Sequence, residues 1–215
     1  MDTDVSFAGT FTDPGTLDTH TMSVDRGDGT TTDVPGVSSP VGSTHQYSSA
    51  GIYDIAVTVT DDDGGSDTQH CGFVVGYDPD GGFVTGGGWI NSPAGAYPAD
   101  PGATGRANFG FVSKYKKGAT VPTGSTEFQL KAGNLNFHSA DYQWLVVAGD
   151  KAIFKGTGTV NGLAGYSFML TATDGMPDTF RMRVWTTADD TLAYDNQIGS
   201  ASDADPTTSL GAGRS

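Results

Sequence analysis

The sequence is poorest in the residues that carry most enzyme chemistry. Cys71 is its one cysteine, so no disulfide can form within the chain. A lone cysteine on a predicted strand is expected as a small buried side chain rather than a nucleophile. Glu127 is the only glutamate, and the four histidines, His20, His45, His70 and His138, follow no His-x-x-x-His or Cys/His metal spacing. There is no Gly-x-Ser-x-Gly elbow and no phosphate loop. Gly86-Gly87-Gly88 lacks both the Lys-Ser/Thr and the strand-to-helix setting, and reads as a bend where two backbones approach. Basic residues are scarce too, 11 against 25 acids for a net charge of −14, which argues against a nucleic-acid partner because phosphates need a basic face. No apolar run reaches the roughly 18 residues of a spanning helix, so no membrane insertion is expected. The acidic start Met1-Asp2-Thr3-Asp4 lacks a basic and apolar leader, which a secreted chain would carry upstream. Helical periodicity is absent throughout.

What is present is glycine, 32 residues of it in a chain of 215, together with short β-branched runs separated by Gly, Pro, Asp and Asn. That pattern predicts an all-β protein. The length admits two modest domains, each with a core. Charge divides unevenly: up to Tyr77 twelve acids face the single base Arg26. In Thr44–Gly65, Gly51 allows a reversal. Then Tyr53, Ile55, Val57 and Val59 alternate with polar or small residues, as in a half-buried strand. Asp61-Asp62-Asp63-Gly64-Gly65 ends it, and the chain returns through Thr68 to Val75. Upstream, Leu17–Val24 is the strand before the turn Arg26-Gly27-Asp28-Gly29.

That GDG turn, His45-x-Tyr47, Ala50-Gly51-x-Tyr53 and Val57-Thr58-Val59-Thr60-Asp61-Asp62-Asp63 resemble, in order, the motifs of a PKD domain, an immunoglobulin-like sandwich. The resemblance covers about residues 4–76. It departs from the family where Asp25 and Arg26 replace an aromatic pair, and where a first strand is expected before Val5. It implies that Arg26-Gly27-Asp28 is part of a turn rather than an integrin ligand. His45 and Tyr47 are read as structural, the tyrosine bonding to backbone at a strand corner.

Three regions follow: a PKD-like sandwich over 1–77 whose first strand is missing, a short linker over 78–82, and a second all-β domain over 83–215, an antiparallel sandwich or barrel. In the last, strands are expected at 106–115, 126–131, 135–138, 142–148, 151–160, 166–173 and 180–185, with a loose polar tail from Ser200. Its runs VTGGGWI, GRANFGFVSKYKKG, GNLNFHS, WLVVAG, KGTGTVNG, GYSFMLTATDG and YDNQ resemble a β-rich domain, of unassigned activity, that follows PKD repeats in secreted bacterial proteins.

Two candidate sites emerge. Asp61, Asp62, Asp63, Asp78 and Asp80 offer hard oxygen ligands suited to Ca²⁺. Tyr97, Trp89 and Trp144 offer an aromatic platform for sugar rings. Trp144 and Trp185 also suit a core by their alternation, which leaves Tyr97, in a Pro/Gly loop, the more exposed candidate. The function expected is a non-catalytic, extracellular or cell-surface structural or adhesive module. Its partners would be other domains or copies of itself, assembled by strand exchange. The alternative is a carbohydrate-binding accessory module of a secreted enzyme acting on polysaccharide.

Overall fold

The computed structural model describes residues 4–15, 17–76, 78 and 83–211. The chain divides into two compact units, Met1–Gly76 and Tyr77–Ser215, and both are antiparallel β throughout.

The first unit is an immunoglobulin-like sandwich. A two-stranded sheet pairs β1 (Asp4–Gly9) with β4 (Val41–Gln46). A second sheet runs in the order β3 (Thr31–Val37), β2 (His20–Asp25), β5 (Gly51–Asp61), β6 (Ser66–Gly76). Alternation along β2 and β5 buries Met22, Val24, Ile55 and Val57, and Phe7 of β1 and Val41 of β4 close on them from the other sheet. Gly27 turns the GDG corner with φ of 71°, and a Cβ there would run into the backbone of Asp54, so only glycine serves. Arg26 is 2% exposed, its guanidinium directed to Ser43, which withdraws the arginine of the Arg-Gly-Asp tripeptide from the surface. Cys71 is exposed, against expectation. The β5–β6 register shifts between Asp54 and Ala56, which sets Cys71 and Gly72 against the single residue Ile55 and changes the face on which Cys71 falls.

The second unit is a near-closed barrel. Eight strands follow in sequence order as neighbours: β7 (Phe83–Ser92), β8 (Gly105–Lys114), β9 (Thr123–Leu130), β10 (Leu135–Ala148), β11 (Lys151–Val160), β12 (Leu163–Thr173), β13 (Thr179–Thr186) and β14 (Leu192–Asp195). The turns are local in origin. Asn161 and Gly162 both take positive φ, 51° and 80°, as a two-residue hairpin requires. Asn134, with φ of 49°, ends a 3₁₀ turn over Lys131–Gly133.

Inward positions are strongly aromatic, and they meet across the interior. Phe109 of β8 stacks on Phe180 of β13 with centroids 3.9 Å apart, and Phe128 of β9 meets Tyr194 of β14 at 4.6 Å. The interior is therefore filled rather than hollow. Glycine makes room for it at Gly86, where a Cβ would run into the ring of Phe111, so an aromatic ring, not a second backbone, accounts for this glycine. Burial also holds the Tyr194 phenol well above its usual pKa while its hydroxyl bonds Ser92 of β7 at 3.0 Å.

Closure is completed by the C-terminal segment, which is docked as far as Gly211 rather than loose. Its short strand β15 (Thr208–Ser209) pairs with β13, and Gly211 N donates to Trp89 O of β7 at 2.8 Å. Arg181 projects from the outer face of β13 yet is 2% exposed, because residues 195–204 cover it. Its Nε and Nη2 donate to the two carboxylate oxygens of Asp195 at 3.1 and 2.8 Å, and its Nη1 donates to Ala201 O at 2.6 Å. Asn196 accepts from Met182 N at 2.7 Å and donates to Phe180 O and to Thr208 Oγ1. Gln197 accepts from Thr207 N and donates to Asp205 O.

Removing one partner leaves the other charge buried alone, which typically costs about 3–5 kcal/mol. Asp195→Ala is therefore expected to lower the melting temperature of the barrel by roughly 10 °C or more, read by calorimetry. The first unit's transition stays in place.

Candidate functional site

In the first unit the strand register builds the densest group of acids. His20 is the Cα partner of Asp61, so the loop leading into β2 is laid against the Asp61–Asp63 turn at the end of β5. Carboxylate oxygens of Asp13, Asp18 and Asp61 come within 4.8 Å of one another, and all three residues are half-buried. Asp13 and Asp61 are already oriented. Asp13 accepts from Gly15 N at 2.9 Å and pairs with His20 Nε2 at 2.7 Å, while Asp61 accepts from Gly65 N at 2.7 Å. Asp62 accepts from Thr19 N at 2.9 Å and ties the two loops together.

The electrostatics differ within the group. The Gly15 amide, followed by His20, holds Asp13 below the usual carboxylate range. Burial, reinforced by the negative charge of Asp13 and of Asp61–Asp63, pushes Asp18 up. A hollow of about 450 Å³ opens beside them, walled by Phe11, Asp13, His20, Asp61 and Asp67. Oxygen ligands converging in this way can hold a hard divalent cation. Of the acids singled out from sequence, Asp61 is part of this group, with Asp62 and Asp63 in the same turn. Asp78 lies in the second unit, around a small hollow with Tyr115, Leu145 and Val147. Asp80 lies outside the described residues. Asp13 and Asp18 were missed, since only the non-local β2–β5 pairing joins Asp13-Pro14-Gly15 to the triple-Asp turn.

The histidines of this unit act as fasteners. His45 Nε2 bonds Asp28 Oδ2 at 2.7 Å and His70 Nδ1 bonds Asp54 Oδ2 at 2.8 Å. Tyr47 donates to Arg26 O at 3.0 Å and stacks on Tyr53, the corner tyrosine bond expected of such a sandwich.

In the barrel the three aromatic candidates are all half-buried and stand apart. Trp89 sits on β7 with the Arg106 guanidinium 4.9 Å from its ring centre. Trp144 is on β10 opposite Lys155. Tyr97 packs over Gly133 beside the core. The strand row that contains Trp89 meets β10 at Asn136, so Trp144 lies eight residues further along, on the order of 25 Å. Trp185 is buried, but on the outer face, with Lys155 and Arg183 over its ring. A separate cavity of about 550 Å³ opens at one barrel end, with apolar walls from Val84, Phe111, Phe180 and Leu210 and a rim that includes Asp150 and Asp178.

A family model described as PKD domain matches residues 1–75. The chain carries an N-terminal PKD domain. The sandwich, its GDG corner and its tyrosine bond are the physical content of that match, and a near-closed β-barrel follows it. Neither the curated proteins nor the solved structures contain a match to the chain. Among the described residues, no helix is long and apolar enough to cross a membrane.

Asp28 gives the PKD domain an acid-sensitive corner. Burial alone would raise its carboxyl, but hydrogen bonds from Thr30 and His45 outweigh that and hold it at about 2, against 3.8 unperturbed. A folded pKa below the unfolded one adds stability that is present above the unfolded value and lost as pH falls through the folded value. The urea midpoint of the PKD domain is expected to fall between pH 4 and 2. In Asp28→Asn that fall flattens, as circular dichroism would show.

Proposed function

We propose that the chain is a non-catalytic structural or adhesive module of an extracellular or cell-surface protein. The observation that carries this reading is how the PKD domain uses its polar side chains. His20, His45 and His70, the groups best suited to acid–base work, each bond an aspartate in another part of the sandwich. Arg26 and Tyr47 fasten the GDG corner from within. Chemistry-bearing groups are thus used to pin strands and turns together, which suits a domain that transmits load or holds others apart.

The same domain supplies a route to partners. Among the described residues β1 pairs with β4 alone, so its outer edge presents unpaired backbone groups to which an added strand can bond. In this reading the strand comes from another copy or from a neighbouring domain. Calcium fits the reading as a stiffener of the loop end, held by Asp13, Asp18 and Asp61.

Light scattering over a concentration series tests the assembly. Mass rising in discrete steps or into filaments is the expected result, and a monomer at every concentration overturns it. Thermal melting tests the cation separately. Ca²⁺ is expected to raise the melting temperature of the PKD domain over its value in EDTA, and Asp61→Asn to abolish that increment. Equal melting in both conditions removes calcium from the reading.

A further inference from the structure

The two ends of the barrel are finished differently. At one end the loop between β7 and β8 folds inward: Ala96 and Ala103 join the core, and Tyr97 packs over Gly133. Ala96 O also accepts from Asp195 N at 2.9 Å, which ties that loop to β14. At the other end lie the start of β7, the β10–β11 turn and the β12–β13 turn. There the interior opens into the cavity of about 550 Å³. The buried rings of Phe109, Phe111 and Phe180 line it from within, and the half-buried Val84, Val147 and Ala172 line it nearer the surface. Phe83 also borders it and is 65% exposed. Apolar surface left in water costs about 25 cal/mol for each Å². A concave, mostly apolar space of this size is the usual form of a small-molecule site.

The rim indicates the charge of the ligand. Asp150 lies in the β10–β11 turn, and Asp174 and Asp178 flank the β12–β13 turn. Asp174 N donates to Asp150 O at 2.8 Å, so the two turns are held side by side. Among the described residues, the carboxylates of Asp150 and Asp174 enter no hydrogen bond or ion pair. Asp178 accepts from Gly175 N at 3.0 Å, a bond that leaves its charge in place. Among the described residues that line the cavity Lys151 is the one cation, and it is already paired with Asp205. Three carboxylates thus border one opening without a counter-charge of their own. The apolar walls beside them strengthen their field.

We propose that this end of the barrel binds a small apolar molecule carrying a cationic group. Its apolar body lies on Phe111 and Phe180, and its ammonium among Asp150, Asp174 and Asp178. This goes beyond the structural or adhesive reading and does not rest on it.

The test is fluorescence titration of the full chain with two dyes that share an apolar body and differ in charge, dansylcadaverine and dansylglycine. The amine is expected to brighten and shift to the blue, and to bind about tenfold or more tightly than the carboxylate. Asp150→Asn combined with Asp174→Asn is expected to remove that preference, weakening the amine about tenfold at unchanged melting temperature. Ala172→Phe, which fills the cavity from β12, is expected to abolish the brightening of both dyes. No brightening with the amine overturns the proposal, as does equal binding of the two dyes. Undiminished amine binding in the double variant or in Ala172→Phe also overturns it, since the dye then sits on acidic surface elsewhere, such as that of the PKD domain. If Ala172→Phe loses the thermal transition of the barrel, the double variant decides.

Discussion

The buried pair of Arg181 and Asp195 is the interaction on which the barrel depends. A guanidinium that is taken out of water is costly to the extent that its donors go unmet. Here they are met by one carboxylate and by carbonyl oxygens of the 200–204 segment. That requirement draws the segment across β13, and the segment in turn delivers Thr208 and Ser209 to the open part of β13 and Gly211 to Trp89. One desolvated charge thereby links the two ends of a meander that would otherwise have free edges.

Within that frame, glycine and phenylalanine divide the space. Large rings on β8 reach inward, and that of Phe111 needs bare backbone beside it, which β7 provides at Gly86. Stacks such as Phe109 on Phe180 then join strands that are far apart in the meander. Each such ring, fully buried, contributes on the order of 1.5–3 kcal/mol. The interior therefore holds the curved sheet together without help from a disulfide.

Much of this was legible in the residues. Alternation in Ile52–Thr60 and in Phe180–Trp185 marks strands because side-chain direction has a period of two, and Asn161-Gly162 marks a hairpin because few residues tolerate two successive positive φ values. The candidate sites were less legible, since they come from pairings between distant segments. Nothing local in Asp13-Pro14-Gly15 announces Asp61, which only the pairing of His20 with Asp61 brings near. Arg181 sits at a position that alternation assigns to the outside, and that assignment holds. Its burial comes from a segment whose polar composition reads as loose, because composition alone does not register the fixed carbonyls that a guanidinium can gather. Cys71 was misread for a related reason: a single inserted residue opposite Ile55 changes the face on which it falls.

The clasp at Arg181 also has a bearing on how the chain is made. Synthesis proceeds from the N-terminus, and the described strands of the PKD domain, β1–β6, precede those of the barrel. The barrel's seam joins Trp89 to Gly211, so its first strand waits for the other strands of the barrel before meeting its closing partner. Until then the aromatic faces of β8–β13 are exposed on an unclosed sheet, the condition in which β proteins are most open to misassembly. Because Asp195 and the segment after it follow β13 in the sequence, closure comes after the barrel's other strands have been made, and the barrel is an open sheet before it is closed.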